Sequence, residues 1–205
     1  NSWDLVKMDI SIATEDILTE EAMTKIIASK ERFRIRHSLG KRGCGHLTGN
    51  LDKFNALANS HYVLLVLDLD NKNDLQEFKN NIEGQIRNKD EKLKIIVPVR
   101  EIESWLLADR EGLSKFLAVS KDKIDREPEL LLDPKEKIIN LARQSRDSNI
   151  KKGIPPKQGA AAKMGLSYNT LLCSFVREHW DITRAYELSP SLRETISFID
   201  DIQHV

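Results

Sequence analysis

With 205 residues, 40% of them hydrophobic and 31% charged, the chain has the composition of one medium folded domain, or one domain with a smaller appendage. Its 32 basic and 32 acidic residues cancel, so no overall polycation or polyanion character dictates a partner. Cys44 and Cys173 are too few for a disulfide framework or a four-ligand zinc site, no apolar run approaches the roughly 20 residues of a membrane span, and no secretion signal precedes the first strand; a cytoplasmic setting without membrane contact is expected.

In chain order, Asp9 to Ala13 reads as a short strand. Ala22, Met23, Ile26 and Ile27 then recur at helical spacing behind Glu20 and Glu21, acids placed where a helix N-terminus favours them. Phe33 to His37 is a second, more polar strand. Gly40, Gly43, Gly45 and Gly49 mark a glycine-rich loop, after which Asn50 is placed to cap a helix burying Leu51, Phe54, Leu57 and Ala58. Tyr62 to Leu67 is apolar on both faces, as a central parallel strand must be. Asp74 and Glu77 have capping-box spacing ahead of Leu75, Phe78, Ile82 and Ile86, and Leu93 to Val97 supplies a fourth strand. This alternation predicts an α/β fold, a mostly parallel four-stranded sheet with helices on both faces.

The second half changes character. Arg100 to Ala108, Gly112 to Leu117, Pro134 to Ser145, Leu166 to Trp180 and Pro190 to Ile202 read as helices, with a polar surface connector from Asp147 to Gly159. We therefore expect an α/β core over residues 1–110 and a helical extension, 111–205, packed on it.

The most informative chemistry stands where the Tyr62–Leu67 run ends in Asp68-Leu69-Asp70. Strand alternation points both aspartates to one side, about 6–7 Å apart along the chain. One or two Mg²⁺ ions, which take a few carboxylates together with waters and substrate phosphates, suit such a pair. The competing reading is a strand-end turn in which aspartate caps backbone, helped by Asn71, Asn73 and Asp74. Glu15 follows the first strand directly and can bind the same ion or act as general base on an attacking water. Asp16, Glu20 and Glu21 are better read as acids at a helix start. Parallel sheets bind ligands beyond the carboxyl ends of their strands, and Glu15, Asp68 and Asp70 all fall there. Glu101 and Glu103 form a third acidic element; metal support and an Arg100–Glu103 ion pair are both open for them.

Charge is unevenly spread. Asp4, Asp9, Glu15, Asp16, Glu20 and Glu21 make an acidic opening. Lys30, Arg32, Arg34, Arg36, Lys41 and Arg42 form one basic block, and Arg143, Arg146, Lys151, Lys152, Lys157 and Lys163 another. Such blocks suit a polyanion around a metal site; solvated surface is the plainer reading of charge runs alone. The loop Gly40 to His46 offers amides with Lys41 and Arg42 for a phosphate, yet has neither Walker A nor dinucleotide spacing. Cys44 lacks a recognisable base and reads as structural, as do Trp105 and Trp180, expected core anchors.

A Glu after the first strand, D-x-D after the third and a parallel α/β order together resemble the Toprim domain. The closer resemblance is to small Toprim-like bacterial proteins related to overcoming-lysogenization-defect nucleases. It rests on Glu15-Asp16, on Leu67-Asp68-Leu69-Asp70, on the stretch Val99-Arg100-Glu101-Ile102-Glu103-Ser104-Trp105-Leu106-Leu107-Ala108-Asp109, and on Lys163-Met164-Gly165-Leu166-Ser167-Tyr168-Asn169. The resemblance implies Mg²⁺- or Mn²⁺-dependent phosphodiester hydrolysis of DNA or RNA and a role in defence against phage. Glu15 would be the catalytic glutamate and Asp68 and Asp70 the metal-binding aspartates; Glu101 and Glu103 are further candidate metal ligands on their spacing alone. Lys41, Arg42, Lys151, Lys152, Lys157 and Lys163 would steer the nucleic acid. Asp16 departs from the family's usual glycine, which stiffens the turn and adds negative charge. A companion ATPase or other defence-system subunit is the expected protein partner. A topoisomerase would need a larger body, and primase or recombination-mediator relatives commonly carry cysteine-rich zinc modules. The alternatives are a non-catalytic nucleic-acid or protein-binding subunit and a phosphatase-like hydrolase of small phosphates.

Overall fold

A computed structural model describes residues 6–203; Asp4 of the acidic opening lies outside them. The chain divides into two compact units. One holds the described residues up to Val97 and those from Ile196 onward, and the other is Pro98–Thr195. Pro98 opens the second unit, so the boundary expected near residue 110 falls inside it.

The first unit runs β1 (Met8–Thr14), α1 (Ile17–Ala28), β2 (Phe33–Gly40), α2 (Cys44–Thr48), α3 (Leu51–Leu57), β3 (Tyr62–Val66), α4 (Leu75–Gly84) and β4 (Leu93–Ile96). Its four strands form one sheet of order β2-β1-β3-β4, and every neighbouring pair is parallel. The register sets Ile12 beside Leu64 and Leu65 beside Ile95. From β1 the chain steps to one side to form β2, then crosses back to form β3 on β1's other side. Crossovers between parallel strands are right-handed, so that reversal puts α1 on one face of the sheet and α3 and α4 on the other. Burial agrees: consecutive residues Val63 to Leu67 point alternately to the two faces, yet all are fully buried.

Local chemistry explains the element ends. The Asp16 carboxylate accepts the Thr19 amide (2.8 Å) and caps α1. Its backbone is extended (φ −146°), a conformation any residue adopts, so this turn does not demand glycine. Asp74 caps α4 through the Glu77 amide in the same way. Asn50, expected to cap α3, makes no such bond; its side-chain amide donates to the His46 carbonyl instead. The glycine-rich segment, expected as loop, contains the short helix α2. β2 runs beyond His37 because parallel pairing with β1 continues to Thr14 opposite Gly40.

The second unit runs α5 (Glu103–Ala108), α6 (Arg110–Leu117), 3₁₀ turns at Lys121–Lys123 and Pro128–Leu130, α7 (Pro134–Arg143), α8 (Ser148–Gly153), α9 (Tyr168–Glu178) and α10 (Ile182–Leu188). The last helix, α11 (Pro190–Asp201), begins here and ends in the first unit. Two of these elements depart from expectation. The first half of the Asp147–Gly159 connector is helical, capped by Asp147, and α10 has no counterpart in the sequence reading. Trp105 and Trp180 are core anchors as expected. The Trp180 indole donates to the Trp105 carbonyl (3.0 Å), and the Trp105 indole to Ser191 Oγ (2.9 Å). Buried Asp109 accepts from the Gly112 and Asp181 amides and from the Arg184 guanidinium, which satisfies its charge. Among the described residues no helix is long and apolar enough to cross a membrane.

Gly40 stands at φ +90° where β2 ends against β1, and a Cβ there would lie 2.2 Å from the Thr14 carbonyl oxygen. Gly40→Ala should therefore lower unfolding free energy by about 1–3 kcal/mol, read as a fall in urea midpoint, because both the backbone conformation and the close approach exclude a side chain.

Candidate functional site

The reversal in strand order makes β1/β3 the topological switch point of the sheet, and ligands of open α/β sheets bind in the crevice beyond the strands' carboxyl ends there. Glu15 leaves β1 and Asp68 leaves β3 at that crevice. Glu15 Oε1 accepts the Asp68 backbone amide at 3.0 Å, which ties the two strand ends together across 53 residues of sequence. Asp70 follows in a left-handed turn (φ +53°), exposed, and close enough for its charge to act on Glu15. The structure thus brings Glu15, Asp68 and Asp70 to one sheet edge. Among the described residues, no three His, Cys, Asp or Glu side chains are gathered as a preformed metal-ligand group.

The glycine-rich segment closes over Glu15 from the β2 side. The Lys41 amide donates to the Thr14 carbonyl (2.7 Å) and the Gly43 amide to the Glu15 carbonyl (3.0 Å). Two of the amides expected to face a phosphate are therefore engaged in fixing the end of β1. This placement also sets Cys44, first residue of α2, against Glu15, with its thiol donating to the carboxylate. An open cleft of about 460 Å³ adjoins the group, lined among others by Cys44, Asp68, Asp70, Lys72, Glu77 and Phe78.

Electrostatics follow from this packing. Desolvation pushes the Glu15 carboxyl up to about 7, with the negative charges of Asp70 and Asp16 adding to the rise; the Asp68 amide and the Cys44 thiol oppose it. Burial likewise raises the Cys44 thiol, and the Glu15 and Asp70 charges raise it further. Cys44 is thus a protonated donor rather than a thiolate nucleophile. The sequence carries no signal for this contact, since it depends on the Thr14–Gly40 pairing that lays the loop across β1.

The other expected site residues divide between the units. Lys41 is held on Glu20 (2.5 Å), while Arg42 is exposed beside it. The rest of the first basic block is also engaged. Lys30 pairs with Asp200, Arg34 and Arg36 pair with Asp9, and the Arg32 guanidinium donates to the carbonyls of Ile199, Asp200 and Ile202. Glu101 and Glu103 belong to the second unit. There buried Glu103 accepts from the Tyr168 hydroxyl (2.8 Å) and lies 3.9 Å from Lys135 Nζ. This contact joins the Val99–Asp109 and Lys163–Asn169 stretches, which sequence alone could not pair. Lys151, Lys152, Lys157 and Lys163 are all exposed in the second unit.

A wholly parallel α/β sheet with carboxylates converging beyond its two central strands defines the class of this protein. Within that class the chain belongs to the family described as Domain of unknown function (DUF4276), whose model matches residues 13–194 and so takes in both the sheet and the helical unit. No curated protein and no solved structure matches the chain.

The raised Glu15 carboxyl makes stability pH-dependent with a defined sign. Unfolded, Glu15 ionises near 4.5; folded, near 7, so the native state holds the extra proton between these values. Glu15's share of stability is therefore greatest below pH 4.5 and is lost as pH rises through about 7. Glu15→Gln mimics the protonated form. In divalent-free buffer its urea-unfolding stability should gain on wild type by about 1–3 kcal/mol between pH 4.5 and 8.

Proposed function

We propose that this protein is a Mg²⁺- or Mn²⁺-dependent phosphodiester hydrolase acting on DNA or RNA, built on a Toprim-like core and serving in bacterial anti-phage defence. The observation that carries the reading is the tie between Glu15 and Asp68 at the switch point, with Asp70 in the next turn. Three carboxylates form the oxygen-only donor set that a hard divalent cation takes, and Mg²⁺ retains waters and substrate oxygens rather than requiring a complete protein cage. Glu15's reluctance to ionise comes first from burial and then from the charges of Asp70 and Asp16; the charge part is a field that a cation would relieve, which supports the fit. In this reading Glu15, Asp68 and Asp70 hold the ion. When bound, it polarises the phosphate and lowers the pKa of an attacking water.

The chain's own groups supply the rest. Because Glu15 ionises near neutrality without an ion, it can release its proton and become a ligand at physiological pH. The Asp68 amide and the Cys44 thiol orient its carboxylate. Exposed Arg42, in the loop whose Lys41 and Gly43 amides bond the end of β1, and Lys151 and Lys163 of the second unit are the proposed cations for steering a phosphate backbone. Lys41 contributes less than its position suggests because Glu20 holds it. A non-catalytic binding subunit is the second reading, favoured by the engagement of Glu15 Oε1 with backbone.

The experiment is incubation of the purified chain with single- and double-stranded DNA and RNA, with Mg²⁺, Mn²⁺ or EDTA, alongside Asp68→Ala. Metal-dependent cleavage by wild type, lost in Asp68→Ala, is the expected result. Mg²⁺ or Mn²⁺ should also raise the wild-type melting temperature at pH 8 and leave Asp68→Ala unchanged. Tight binding of nucleic acid without cleavage, and no thermal shift with either ion, would establish the binding-subunit reading instead.

A further inference from the structure

The second unit holds a cleft of about 610 Å³. The carboxylate nearest it in sequence, Asp147, is engaged in capping α8 through the Asn149 and Ile150 amides. The cleft walls include Lys152, Lys157, Pro155, Met164, Leu166 and Leu171. The loop that forms it is clamped at its neck, where the Gly165 amide donates to the Ile154 carbonyl (2.8 Å) and the Ser167 amide to the Gly153 carbonyl (3.1 Å). Gly165 has no room for a side chain; a Cβ would lie 2.2 Å from the Gly153 carbonyl oxygen. At the cleft, Leu166 is 95% exposed, an apolar side chain held in water by a built loop. From Ser148 to Arg177 the chain contains no Asp or Glu at all, while Lys151, Lys152, Lys157 and Lys163 are exposed. The cleft is thus aliphatic inside and cationic at its rim. It has no arginine fork and no aromatic ring, the groups that grip phosphates and stack bases.

The same unit presents the complement. Glu127-Pro128-Glu129-Leu130-Leu131-Leu132-Asp133 carries three acids, three leucines and no cation, and Leu130 and Leu132 are 72% and 82% exposed. This knuckle is rigid. The Glu129 carboxylate accepts from Ser189 Oγ (2.5 Å), Ser191 Oγ (2.8 Å) and the Ser191 amide (3.0 Å), and Ser191 Oγ in turn accepts from the Trp105 indole. Asp133 caps α7 at its far end. Both halves are held by their own hydrogen bonds, so joining them costs little ordering.

We propose that the acidic leucine knuckle of one copy of this chain docks in the lysine-rimmed cleft of a second copy. Leu130 and Leu132 meet Leu166, Met164 and Leu171, and Glu127 and Asp133 face Lys152 and Lys157. Each copy carries both halves, so two copies can pair reciprocally, each knuckle in the other's cleft, or link head to tail into a ring or chain. The contact is independent of the metal-site reading and leaves Lys151 and Lys163, outside the cleft walls, for a phosphate backbone.

The test is sedimentation velocity of the full chain in EDTA over a concentration series at low and high salt. Wild type should associate, and salt should weaken the association. Leu166→Asp in the cleft, and Leu130→Asp with Leu132→Asp in the knuckle, each raise the dissociation constant at least about tenfold. All three positions are exposed, and unchanged melting curves verify the fold. Mixing the cleft variant with the knuckle variant should restore a 1:1 pair that grows no further, since each keeps one intact half. A chain that stays monomeric, an association that neither variant weakens, or a mixture that does not pair would overturn the inference. So would a monomer whose binding to a single-stranded oligonucleotide vanishes in Lys152→Glu/Lys157→Glu, which would give the cleft to nucleic acid. Asp68→Ala should associate like wild type, which separates this outcome from failure of the hydrolase reading.

Discussion

One hydrogen bond, from the Asp68 amide to Glu15 Oε1, fixes the geometry on which the rest of the site depends. β1 and β3 are neighbours in the sheet but distant in sequence, and beyond their last paired residues nothing in the ladder holds them in register. The Glu15 side chain continues the pairing past the end of the strands. Desolvating a carboxylate is costly unless its lone pairs are met, and for half-buried Glu15 a backbone amide and a thiol meet them. The same burial that makes Glu15 a structural tie also makes it reluctant to lose its proton. Anchoring and acid–base tuning are thus one physical circumstance in this protein, as they are wherever an active-site carboxylate is packed against backbone.

Charge shows how differently two similar-looking basic blocks are used. Lys30, Arg32, Arg34, Arg36 and Lys41 each find an acid or a run of carbonyls nearby, so that block serves to pin the edge strand β2 and the end of α11 to the sheet. Charged side chains along an edge strand also discourage other strands from adding to it. The second block is used differently: Arg143 pairs with Glu136 and Arg146 donates to the Ala118 carbonyl, whereas Lys151, Lys152, Lys157 and Lys163 are exposed in a stretch from Ser148 to Arg177 that holds no Asp or Glu. A net charge of zero conceals both facts.

The parts of the fold legible in the sequence are those set by local periodicity. The unbroken apolar run of β3, the stripe of α1 and the cap at Asp74 all depend on neighbours within a few residues, and the structure places them as read. Short helices escaped that reading. α2 sits among glycines and α10 buries only Ala185, so neither leaves an apolar repeat long enough to recognise. The convergence of Glu15 with Asp68 was legible because parallel topology fixes where strand ends go. The Cys44 contact, the Tyr168–Glu103 bond and the pairing of Arg32 with carbonyls near residue 200 were not, since each joins segments whose meeting is decided only by tertiary packing.

The route of α11 bears on how this protein can be taken apart. The sheet unit is discontinuous in sequence: it needs residues up to Val97 and then the segment from Ile196 onward. That segment supplies the carbonyls that hold Arg32, the Asp200 partner of Lys30 and the Phe198 ring that packs edge-on against Tyr62 and beneath Lys94. A fragment cut after Val97 would expose the flank that this final stretch of helix covers and strand two cations at it. Isolating the sheet as a stable piece calls for splicing the two segments through a short linker, not for truncation.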